Sequence, residues 1–552
     1  MLNLWYKNAV IYCLDVETYM DSNGDGVGDF EGLTRRLDYI AGLGITCIWL
    51  MPFYPTPNRD NGYDITDYYS VDPRLGTLGD FVEFARQAND RGMRVIIDLV
   101  VNHTSIDHPW FQAACKDRHS QYRDYYVWSE TKPADAEEGI IFPGVQESTW
   151  TYSEEAKAYY FHRFYEHQAD LNIANLAVRE EICKIMGFWL ELGISGFRID
   201  AVPFLIELRG IEEDAHVKDP YLYLKEIRSF LSWRRGDAIL LAEANVTMDK
   251  VPDYFGDGDK MQMLFNFVVN QQMMLAFVRE QAAPIIAGLT ASPAIPETGQ
   301  WAHFIRNHDE LSLDKLSDAE QAEVRVQFAP EEDMWIYDRG IRRRFPPMVQ
   351  GDSRRVRLAY SLMFTLPGTP VLFYGEEIGM GEDLSLAERN ATRTPMQWSA
   401  AENAGFSAAS QPLVRPVITQ APFDYQHLNV INQRRNPDSL LNWMERAIRM
   451  RKECPEFGWG TWQIIETNHP SVLAHCCQGK RGSVIAVHNL SKTACSISLK
   501  FSLESQAQPQ PLTEVFEDQA YELVQDTASE IALSGYGYRW FRIGSDCLLH
   551  NP

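Results

Sequence analysis

The chain has 552 residues, and its 51 Lys and Arg against 76 Asp and Glu give a net charge of −25. This length exceeds what one hydrophobic core usually organises, so we expect two or three domains around one large domain. Hydrophobic residues make up 45% of the chain, which excludes a disordered or fibrous protein. The negative charge repels phosphate backbones and therefore argues against nucleic acid as a partner.

The cysteines and the N-terminal residues bear on the cellular compartment. Nine cysteines lie between Cys13 and Cys547 without a CxxC pair, which is typical of reduced thiols and not of a disulfide framework. The first residues lack the basic start and apolar run of a signal peptide. Residues 358–375 carry no charge, but Pro367 and Pro370 at their centre would break a membrane-spanning helix. We therefore predict a cytoplasmic protein without a membrane contact.

Short apolar runs alternate with amphipathic stretches through most of the chain. The runs are predicted as strands buried on both faces, with helices between them. The predicted strands are 9–14, 45–50, 94–101, 196–201, 238–242 and 370–374, and the predicted helices are 32–43, 78–91, 178–192 and 221–233. This alternation predicts an α/β fold with a parallel sheet, and its length favours a closed (β/α)8 TIM barrel over an open sheet. No GxGxxG turn follows the first strand, which argues against a dinucleotide-binding fold.

Two stretches depart from this alternation. Residues 104–172, rich in Tyr, Trp and His, form a long insertion after the third strand and are predicted as a small domain beside the site. Beyond about residue 460, short alternating runs at 471–475, 483–488, 496–501 and 536–541 predict a C-terminal antiparallel β-sandwich domain. The predicted division is barrel 1–103, inserted domain 104–172, barrel 173–460 and C-terminal domain 461–552.

Polar side chains gather where four of the predicted strands end. Catalytic groups of such barrels lie at the carboxyl ends of the strands. These ends are occupied by Asp98–His103, Arg198–Asp200, Leu241–Glu243 and Phe304–Asp309, the last assigned to the seventh strand. A single carboxylate at a strand end often caps the next helix. Three carboxylates with two histidines and an arginine at one face instead favour a site that cleaves glycosidic bonds.

Retaining cleavage of such a bond needs a carboxylate nucleophile and a protonated carboxylic acid. Asp200 follows Arg198 by two residues, so both side chains point to one side of a strand, and the guanidinium is predicted to keep Asp200 ionised as the nucleophile. Apolar neighbours of Glu243 favour a raised pKa and the general-acid role. Asp309 is predicted to hold sugar hydroxyls and to keep the Glu243 proton in place by like-charge repulsion.

The loop Asp21–Asp29 (DSNGDGVGD) carries oxygen-bearing side chains at alternate positions, as in the first half of a calcium loop. The twelfth position is Gly32 instead of Glu, and the loop follows a strand, which excludes a helix–loop–helix site. A structural cation is favoured, and the alternative is a turn stabilised by its own side chains.

Arg339–Arg344 is a run rich in arginine that could suggest binding of a polyanion. In so acidic a chain, we favour an internal ion-pair network or a solvated face.

The motifs together resemble the four main conserved regions of the α-amylase superfamily, glycoside hydrolase family 13. These motifs are Asp98–His103 (DLVVNH), Gly196–Val202 (GFRIDAV), Leu241–Asn245 (LAEAN) and Phe304–Asp309 (FIRNHD). Residues 168–172 and 368–379 resemble two further regions, so the resemblance extends over the whole chain in the right order. It implies a TIM barrel, an inserted domain B after the third strand and a C-terminal β-sandwich domain C, and it implies no organic cofactor.

The resemblance also implies roles for individual residues. It assigns nucleophile, acid/base and stabiliser to Asp200, Glu243 and Asp309, respectively. It places in the subsite for the attacked glucose the side chains of Tyr63, Asp64, His103, Arg198, His308 and Arg393. It implies a structural Ca2+ held by the side chains of Asp21, Asn23, Asp25 and Asp29 and the carbonyl of Val27.

Within the superfamily, segments such as 165–172, 306–311 and 393–398 resemble members that interconvert maltose and trehalose. Residues 205–218 and 261–274 depart from those members and are expected to border the leaving sugar. The expected substrate is therefore a small α-glucoside, isomerised through a covalent glucosyl–Asp200 intermediate. The alternative is a hydrolytic α-glucosidase or an α-amylase acting on small α-1,4-oligosaccharides.

A non-catalytic relative that serves a transporter would need a membrane segment and usually loses a carboxylate. This sequence has all three carboxylates, which argues against that class. A homo-oligomer remains open.

Overall fold

The computed structural model describes residues 3–207, 220–480, 482–499, 512–516, 520–521, 523–524, 527–528 and 530–543. Eight parallel strands close into a barrel in which each strand pairs with its neighbours in the chain and the eighth pairs with the first. The barrel strands are Ile11–Leu14, Cys47–Leu50, Arg94–Leu99, Gly196–Ile199, Ile239–Ala242, Met263–Phe265, Gln300–His303 and Thr369–Phe373. The predicted TIM barrel is confirmed.

Helices cover the outside of the barrel and its loops. Those before the third strand are Val16–Tyr19, Phe30–Arg35, Leu37–Gly42 and Leu78–Asp90. Helix Leu176–Glu191 precedes the fourth strand. The helices between the fourth and the eighth strands are Val202–Leu205, Leu222–Arg234, Val251–Phe255, Phe267–Arg279, Ala283–Ala291, Asp318–Phe328, Phe345–Met348 and Ser353–Thr365. Val430–Arg434, Leu440–Glu453 and Glu456–Trp459 follow the eighth strand.

Local sequence explains where these helices begin and end. Leu78–Asp90 starts with a capping box between Thr77 and Asp80, and its buried Phe81, Phe84, Ala85 and Ala88 follow the helical spacing. The prediction of one continuous helix over 32–43 is wrong. The structure has two helices, Phe30–Arg35 and Leu37–Gly42, because the backbone leaves the helical region at Arg36. The predictions 78–91, 178–192 and 221–233 agree with the structure to within two residues at each end.

The sixth and seventh barrel strands are where the sequence prediction failed. No sixth strand was located, and Phe304–Asp309 was assigned to the seventh. The structure has Met263–Phe265 as the sixth strand and Gln300–His303 as the seventh, so the FIRNHD motif follows its strand as a loop. Met263–Phe265 is only three residues long, and Gln300–His303 begins and ends with a polar residue, so neither strand gives a continuous apolar run of four.

The insertion after the third strand contains its own small sheets. Trp128–Ser129, Ala158–Phe161 and Trp150–Ser153 form a three-stranded sheet, and His103–Ser105 pairs with Gln168–Asp170. The helix Pro109–Lys116 lies between them in the chain. Val127, Ala136, Trp150 and Phe161 make a small hydrophobic cluster separate from the barrel core.

The C-terminal residues form antiparallel sheets, as predicted. A six-stranded sheet has the order Thr461–Ile465, Val472–Gly479, Gly482–Asn489, Tyr538–Ile543, Leu512–Glu514 and Ala520–Tyr521. Two further pairs join Cys495–Ile497 with Ile531–Leu533 and Leu523–Val524 with Thr527–Ala528. The end of the predicted run 496–501 and Cys547 lie outside the described residues.

The uncharged stretch 358–375 is divided between a helix and a strand, and arginines of the run 339–344 form internal ion pairs and hydrogen bonds. Helix Ser353–Thr365 and strand Thr369–Phe373 share the uncharged stretch, with a turn at Pro367. Among the helices of the described residues, none is both long and apolar enough to cross a bilayer. Arg343 pairs with Glu382 at 2.7 Å, and buried Arg344 donates to the carbonyl oxygens of Tyr374 and Thr392.

Candidate active site

A cavity of about 300 Å3 opens at the carboxyl ends of the barrel strands, which is at the small end of the range for ligand pockets. Among the predicted site residues, five line this cavity: Tyr63, His103, Asp200, Glu243 and Asp309. Aromatic and apolar side chains form much of the remaining wall, namely Ile141, Phe142, Phe164, Pro203, Phe204 and Phe267. A concave wall that combines apolar surface with convergent carboxylates is suited to a small sugar.

One guanidinium holds the carboxylates on the fourth and fifth strands together. Arg198 Nη1 lies 2.6 Å from Asp200 Oδ1, and Nη2 lies 2.8 Å from Glu243 Oε2. Ala201 adopts a left-handed conformation with φ of 51°, which directs its N–H to Glu243 Oε2 at 3.1 Å. Such a conformation is uncommon outside glycine and is often found at functional sites. The two carboxylates therefore face one small volume of the cavity.

Burial gives these two carboxylates different proton affinities. Burial, together with Asp200 and Asp309, raises the pKa of Glu243 to about 8 against the effect of Arg198. Burial also raises the pKa of Asp200 to about 6, although Arg198 acts in the opposite direction. Desolvation is therefore the larger effect on Asp200, and the Arg198 guanidinium opposes it. Near neutral pH Glu243 still holds a proton while Asp200 is largely ionised.

Asp309 is held in the ionised form by a different set of cations. Its Oδ1 lies 2.8 Å from Arg389 Nη1 and 3.1 Å from Arg393 Nη2. Burial alone would raise the pKa of Asp309, but the guanidinium groups of Arg389 and Arg393, with a contact from the His308 ring, hold it well below the usual range. The third carboxylate is therefore negative throughout the neutral range and adds to the field that keeps a proton on Glu243.

Two histidines lie beside the carboxylates. The Tyr63 hydroxyl is 2.6 Å from His308 Nε2, and the two rings stack with an interplanar angle of 3°. Burial lowers the pKa of His308 well below its ordinary value and that of His103 to about 4. Both imidazoles are therefore neutral near pH 7. His103 lines the cavity, whereas His308 lies behind Tyr63 and contacts Asp309 at 3.1 Å.

The structure separates the two aspartates next to Tyr63. Asp64 is fully buried and accepts hydrogen bonds from Thr56 Oγ1 and from the N–H groups of Arg59 and Asp60, and it does not line the cavity. Asp60 does line it, 2.8 Å from Arg389 Nη2.

Sequence reasoning therefore missed Asp60, Arg389 and Gln168, which donates to Asp60 at 2.9 Å. Asp60 and Gln168 lie within or next to motifs already recognised, which is a signal that could have identified them. Of the remaining predicted residues, Arg198 and Arg393 act on the carboxylates from behind the cavity wall.

A group of four side chains, the rim cluster, lies at one edge of the cavity: Phe142, Tyr165, Tyr337 and Glu388. The hydroxyls of Tyr165 and Tyr337 both donate to Glu388 Oε2, at 2.5 and 2.8 Å. The Phe142 ring lies 4.6 Å from each tyrosine ring, centroid to centroid. The cluster thus joins the insertion to two barrel loops, next to Arg389.

Further polar groups line the cavity. Asn245 Nδ2 donates to Asp314 Oδ1 at 3.0 Å, and Arg339 pairs with Glu310 at 2.9 Å. Phe204 and Phe267 lie in the same wall. Such a mixed wall can hold the hydroxyls of a second sugar ring. The neighbouring residues 208–219 lie outside the described part of the chain.

The predicted calcium loop forms a turn that its own side chains stabilise. Asp21 Oδ1 accepts from the N–H groups of Asn23 and Gly24, and Oδ2 accepts from Gly26 N–H and the Ser407 hydroxyl. The side chains of Asn23, Asp25 and Asp29 likewise accept backbone N–H groups of Asp25, Val27 and Ser22. Within the described residues, no three carboxylate, imidazole or thiolate side chains are placed to share a metal ion.

The barrel, the C-terminal sheets and a cavity with three carboxylates define a carbohydrate-active enzyme of the α-amylase type. Residues 14–460 match the family described as alpha amylase, catalytic domain, and residues 462–540 match the maltogenic amylase C-terminal domain. The chain belongs to the α-amylase family, glycoside hydrolase family 13.

Relatives named as trehalose synthases are similar to the chain over its whole length. The trehalose synthase of Thermus thermophilus is 42% identical over 100% of this chain, which spans 56% of that protein. The trehalose synthase/amylase TreS of Mycolicibacterium smegmatis is 40% identical over 98% of this chain and 92% of its own length. The oligo-1,6-glucosidase of Bacillus cereus is 30% identical over 90% of this chain and 92% of its own.

Solved structures agree with the fold. An α-amylase from H. orenii has a TM-score of 0.78 at 26% identity, covering 98% of this chain and 100% of that one. A trehalulose synthase has a TM-score of 0.76 at 25% identity, covering 98% and 100%.

Proposed function

We propose that this protein interconverts maltose and trehalose as a retaining α-glucosyltransferase. The observation that carries the proposal is the pair Asp200 and Glu243 on one guanidinium, with the pKa of Glu243 raised to about 8 and that of Asp200 to only about 6. Identity of about 40% to trehalose synthases, against 30% to a glucosidase, supports the choice of isomerisation over hydrolysis.

The first step breaks the α-1,4 bond of maltose. Asp200 attacks the anomeric carbon of the non-reducing glucose, and the bond to the departing glucose oxygen breaks as Glu243 transfers its proton to that oxygen. A glucosyl ester of Asp200 and a free glucose result. Asp309 holds ring hydroxyls as an anion, and His103 and Tyr63 offer neutral hydrogen-bond groups to the same ring.

The second step forms the new bond. The released glucose turns within the cavity, and its anomeric hydroxyl attacks the glucosyl ester while Glu243 takes up the hydroxyl proton. Asp200 leaves as a carboxylate, and the product is an α,α-1,1-linked disaccharide. Water in the place of that hydroxyl would instead give two molecules of glucose, so isomerisation depends on keeping water out and glucose in.

One incubation tests the proposal. The purified protein is supplied with maltose, and trehalose and glucose are quantified over time. We expect trehalose as the main early product. The variant D200N should lose at least about 1,000-fold in kcat, because the amide cannot form the glucosyl ester. Glucose alone, or substantial turnover by D200N, would contradict the proposal.

A hydrolytic α-glucosidase or α-amylase on small α-1,4-glucosides is the second candidate. It is favoured by relatives that carry an amylase name beside the synthase name and by the 30% identical glucosidase. Both candidates share the glucosyl–Asp200 intermediate and differ only in the acceptor, so the ratio of trehalose to glucose distinguishes them.

The proposal also includes a cytoplasmic location and a structural calcium ion. All eight cysteines within the described residues are free thiols, which supports a reducing compartment such as the cytoplasm. Calcium at Asp21–Asp29 stays a prediction supported by the oxygen-bearing residue types, and no step of the reaction is routed through it. A homo-oligomer stays open, and light scattering in solution would decide it.

A further inference from the structure

A second cavity, of about 470 Å3, lies between the barrel and the C-terminal domain. Its walls come from the helices Ser353–Thr365 and Leu440–Glu453 and from the strand Tyr538–Ile543 with the residues before it. None of the described residues that line it also lines the active-site cavity. The proposed isomerisation therefore makes no use of it.

Four arginines line this cavity, and two of them are ion-paired. Arg539 Nη1 lies 2.6 Å from Glu514 Oε2, which is the carboxylate among the described wall residues. Arg354 forms a two-point pair with Asp352, which does not line the cavity. The described wall residues therefore include four guanidinium groups and one carboxylate.

The other two arginines retain unused hydrogen-bonding capacity. Arg357 donates through Nη2 to the carbonyl oxygen of Asp438, but its Nε is buried without a hydrogen-bond partner. Arg446 is exposed, with no ion pair or hydrogen bond to the described residues. Burial raises the pKa of the nearby Tyr538 to about 12, and both Arg357 and Arg446 act against that rise. The positive charges of Arg357 and Arg446 therefore both act on the wall at Tyr538.

Aromatic rings form the apolar part of the wall. Trp443 and Phe516 both pack edge-on against Tyr538, at centroid distances of 5.8 and 6.4 Å. Tyr536 lies beside the guanidinium of Arg354 at 5.5 Å. A group of arginines beside aromatic rings offers two kinds of contact at once, since guanidinium forks match phosphate oxygens and the rings accept a sugar or base.

We propose that this cavity binds a small organic phosphate, with the arginines on the phosphate and the aromatic rings against the organic part. The chain as a whole has a net charge of −25 and repels anions, so an anion that binds here needs the local excess of arginines in the described wall. A sugar phosphate and a nucleoside monophosphate share this chemistry, and the choice of probe separates them.

Isothermal titration of the full chain with glucose 6-phosphate, AMP and inorganic phosphate tests the proposal. We expect at least one monoester to bind more tightly than inorganic phosphate, and the tighter monoester identifies the ligand class. The double variant R354A/R446A removes two exposed side chains, so it should fold normally, and its Kd should rise at least about tenfold. R449A removes an exposed arginine of the same helix outside the cavity and should leave the Kd unchanged.

Three results would overturn the proposal. These are no binding of any probe at about 10 mM, inorganic phosphate binding as tightly as both monoesters, and an unchanged Kd in R354A/R446A. The last result would place any bound phosphate elsewhere, including the active-site cavity. Because the readout is binding, failure here is independent of the outcome of the maltose incubation.

Discussion

At the scale of single residues, two carboxylates on the same guanidinium differ in proton affinity because their surroundings differ. Glu243 lies near two other anions, Asp200 and Asp309, and burial removes the water that would stabilise its charge. Asp200 contacts Arg198 more directly, through a 2.6 Å bond, so its pKa is raised less. This difference divides the roles of acid and nucleophile between two groups of nearly equal chemistry.

The pH dependence of activity follows from these pKa values. Asp200 must be ionised and Glu243 protonated, so kcat/KM should rise with pH through about 6 and fall above about 8. The measurement is initial trehalose formation from maltose between about pH 4.5 and 9.5, a range that brackets both pKa values. E243Q should remove the alkaline limb along with most activity. A profile that is flat from pH 7 to pH 9 would contradict the raised pKa of Glu243.

The two aspartates beside Tyr63 should behave differently on substitution. D60N should lower kcat/KM by about 10- to 100-fold, because Asp60 lines the cavity and pairs with Arg389, which contacts Asp309. D64N should cost about 1–3 kcal/mol of stability, because its buried carboxylate accepts three hydrogen bonds, two of them from backbone N–H groups. Kinetics and thermal melts of both variants provide the check. A larger loss of activity in D64N at an unchanged Tm would show that Asp64 contacts the sugar.

At the scale of structural elements, the rim cluster connects three separate segments of the chain beside the reacting groups. The insertion contributes Phe142 and Tyr165, and two barrel loops contribute Tyr337 and Glu388. Arg389 follows Glu388 directly and bridges Asp309 to Asp60. Any opening of the insertion would therefore break the hydrogen bond from Tyr165 to Glu388 and admit water to the cavity.

Weakening the rim cluster should shift the products from trehalose to glucose. E388Q replaces a carboxylate that accepts from two tyrosines, and Y337F removes one of those donors. We expect the glucose fraction at least to double, at about the same total turnover of maltose. Y152F, on an exposed ring of the insertion, serves as the control. An unchanged product ratio in both rim variants would mean that the cluster does not control water access.

The loop Asp21–Asp29 tests the cation prediction. If calcium binds there, removal by a chelator should lower the Tm by several degrees, since a ligand that binds only the folded state stabilises it. Added calcium should restore the Tm, and the variant D25N should reduce the response. Differential scanning calorimetry with and without chelator is the measurement. An identical Tm in both conditions, with no calcium in the purified protein, would support the alternative of a turn that needs no metal.

At the scale of the whole molecule, the barrel and the C-terminal domain meet through buried polar groups. Ser361, on helix Ser353–Thr365, accepts a hydrogen bond from Trp540 Nε1 at 2.9 Å and lies 3.0 Å from His488 Nε2. Burial lowers the pKa of His488 to about 3, so this imidazole stays neutral. His475 contacts the carbonyl oxygen of Thr365, which ends the same helix, at 2.8 Å. The interface therefore requires complementary polar pairs as well as apolar contact.

Loss of the Ser361 hydroxyl should destabilise the whole protein. S361A leaves two buried groups without their partner, which costs about 1–3 kcal/mol, while the distant site keeps its activity per folded molecule. S353A changes an exposed serine of the same helix and should leave the stability unchanged. Urea unfolding of both variants measures the difference. Equal stability of S361A and the parent protein would show that the interface does not depend on this hydroxyl.

The linear sequence was enough to predict the barrel and the three carboxylates that line its cavity. Buried parallel strands need continuous apolar runs, which can be seen in the sequence. Functional groups of a barrel directly follow these runs, so their positions can be seen there as well. The short strand Met263–Phe265 was missed because three residues carry no period. The break at Arg36 was missed because the apolar pattern continues across it.

Folding determines which aspartate lines the cavity and how far burial raises the pKa of Asp200. Asp60 and Asp64 lie four residues apart and differ only in which side of the cavity wall they occupy. Arg198 lies two residues before Asp200, so its lowering of the Asp200 pKa can be inferred from the sequence. The desolvation that raises this pKa by a larger amount comes from residues distant in the chain. The rim cluster and the arginine cavity likewise depend on segments that folding alone brings together, because burial and long-range contact are properties of the folded chain.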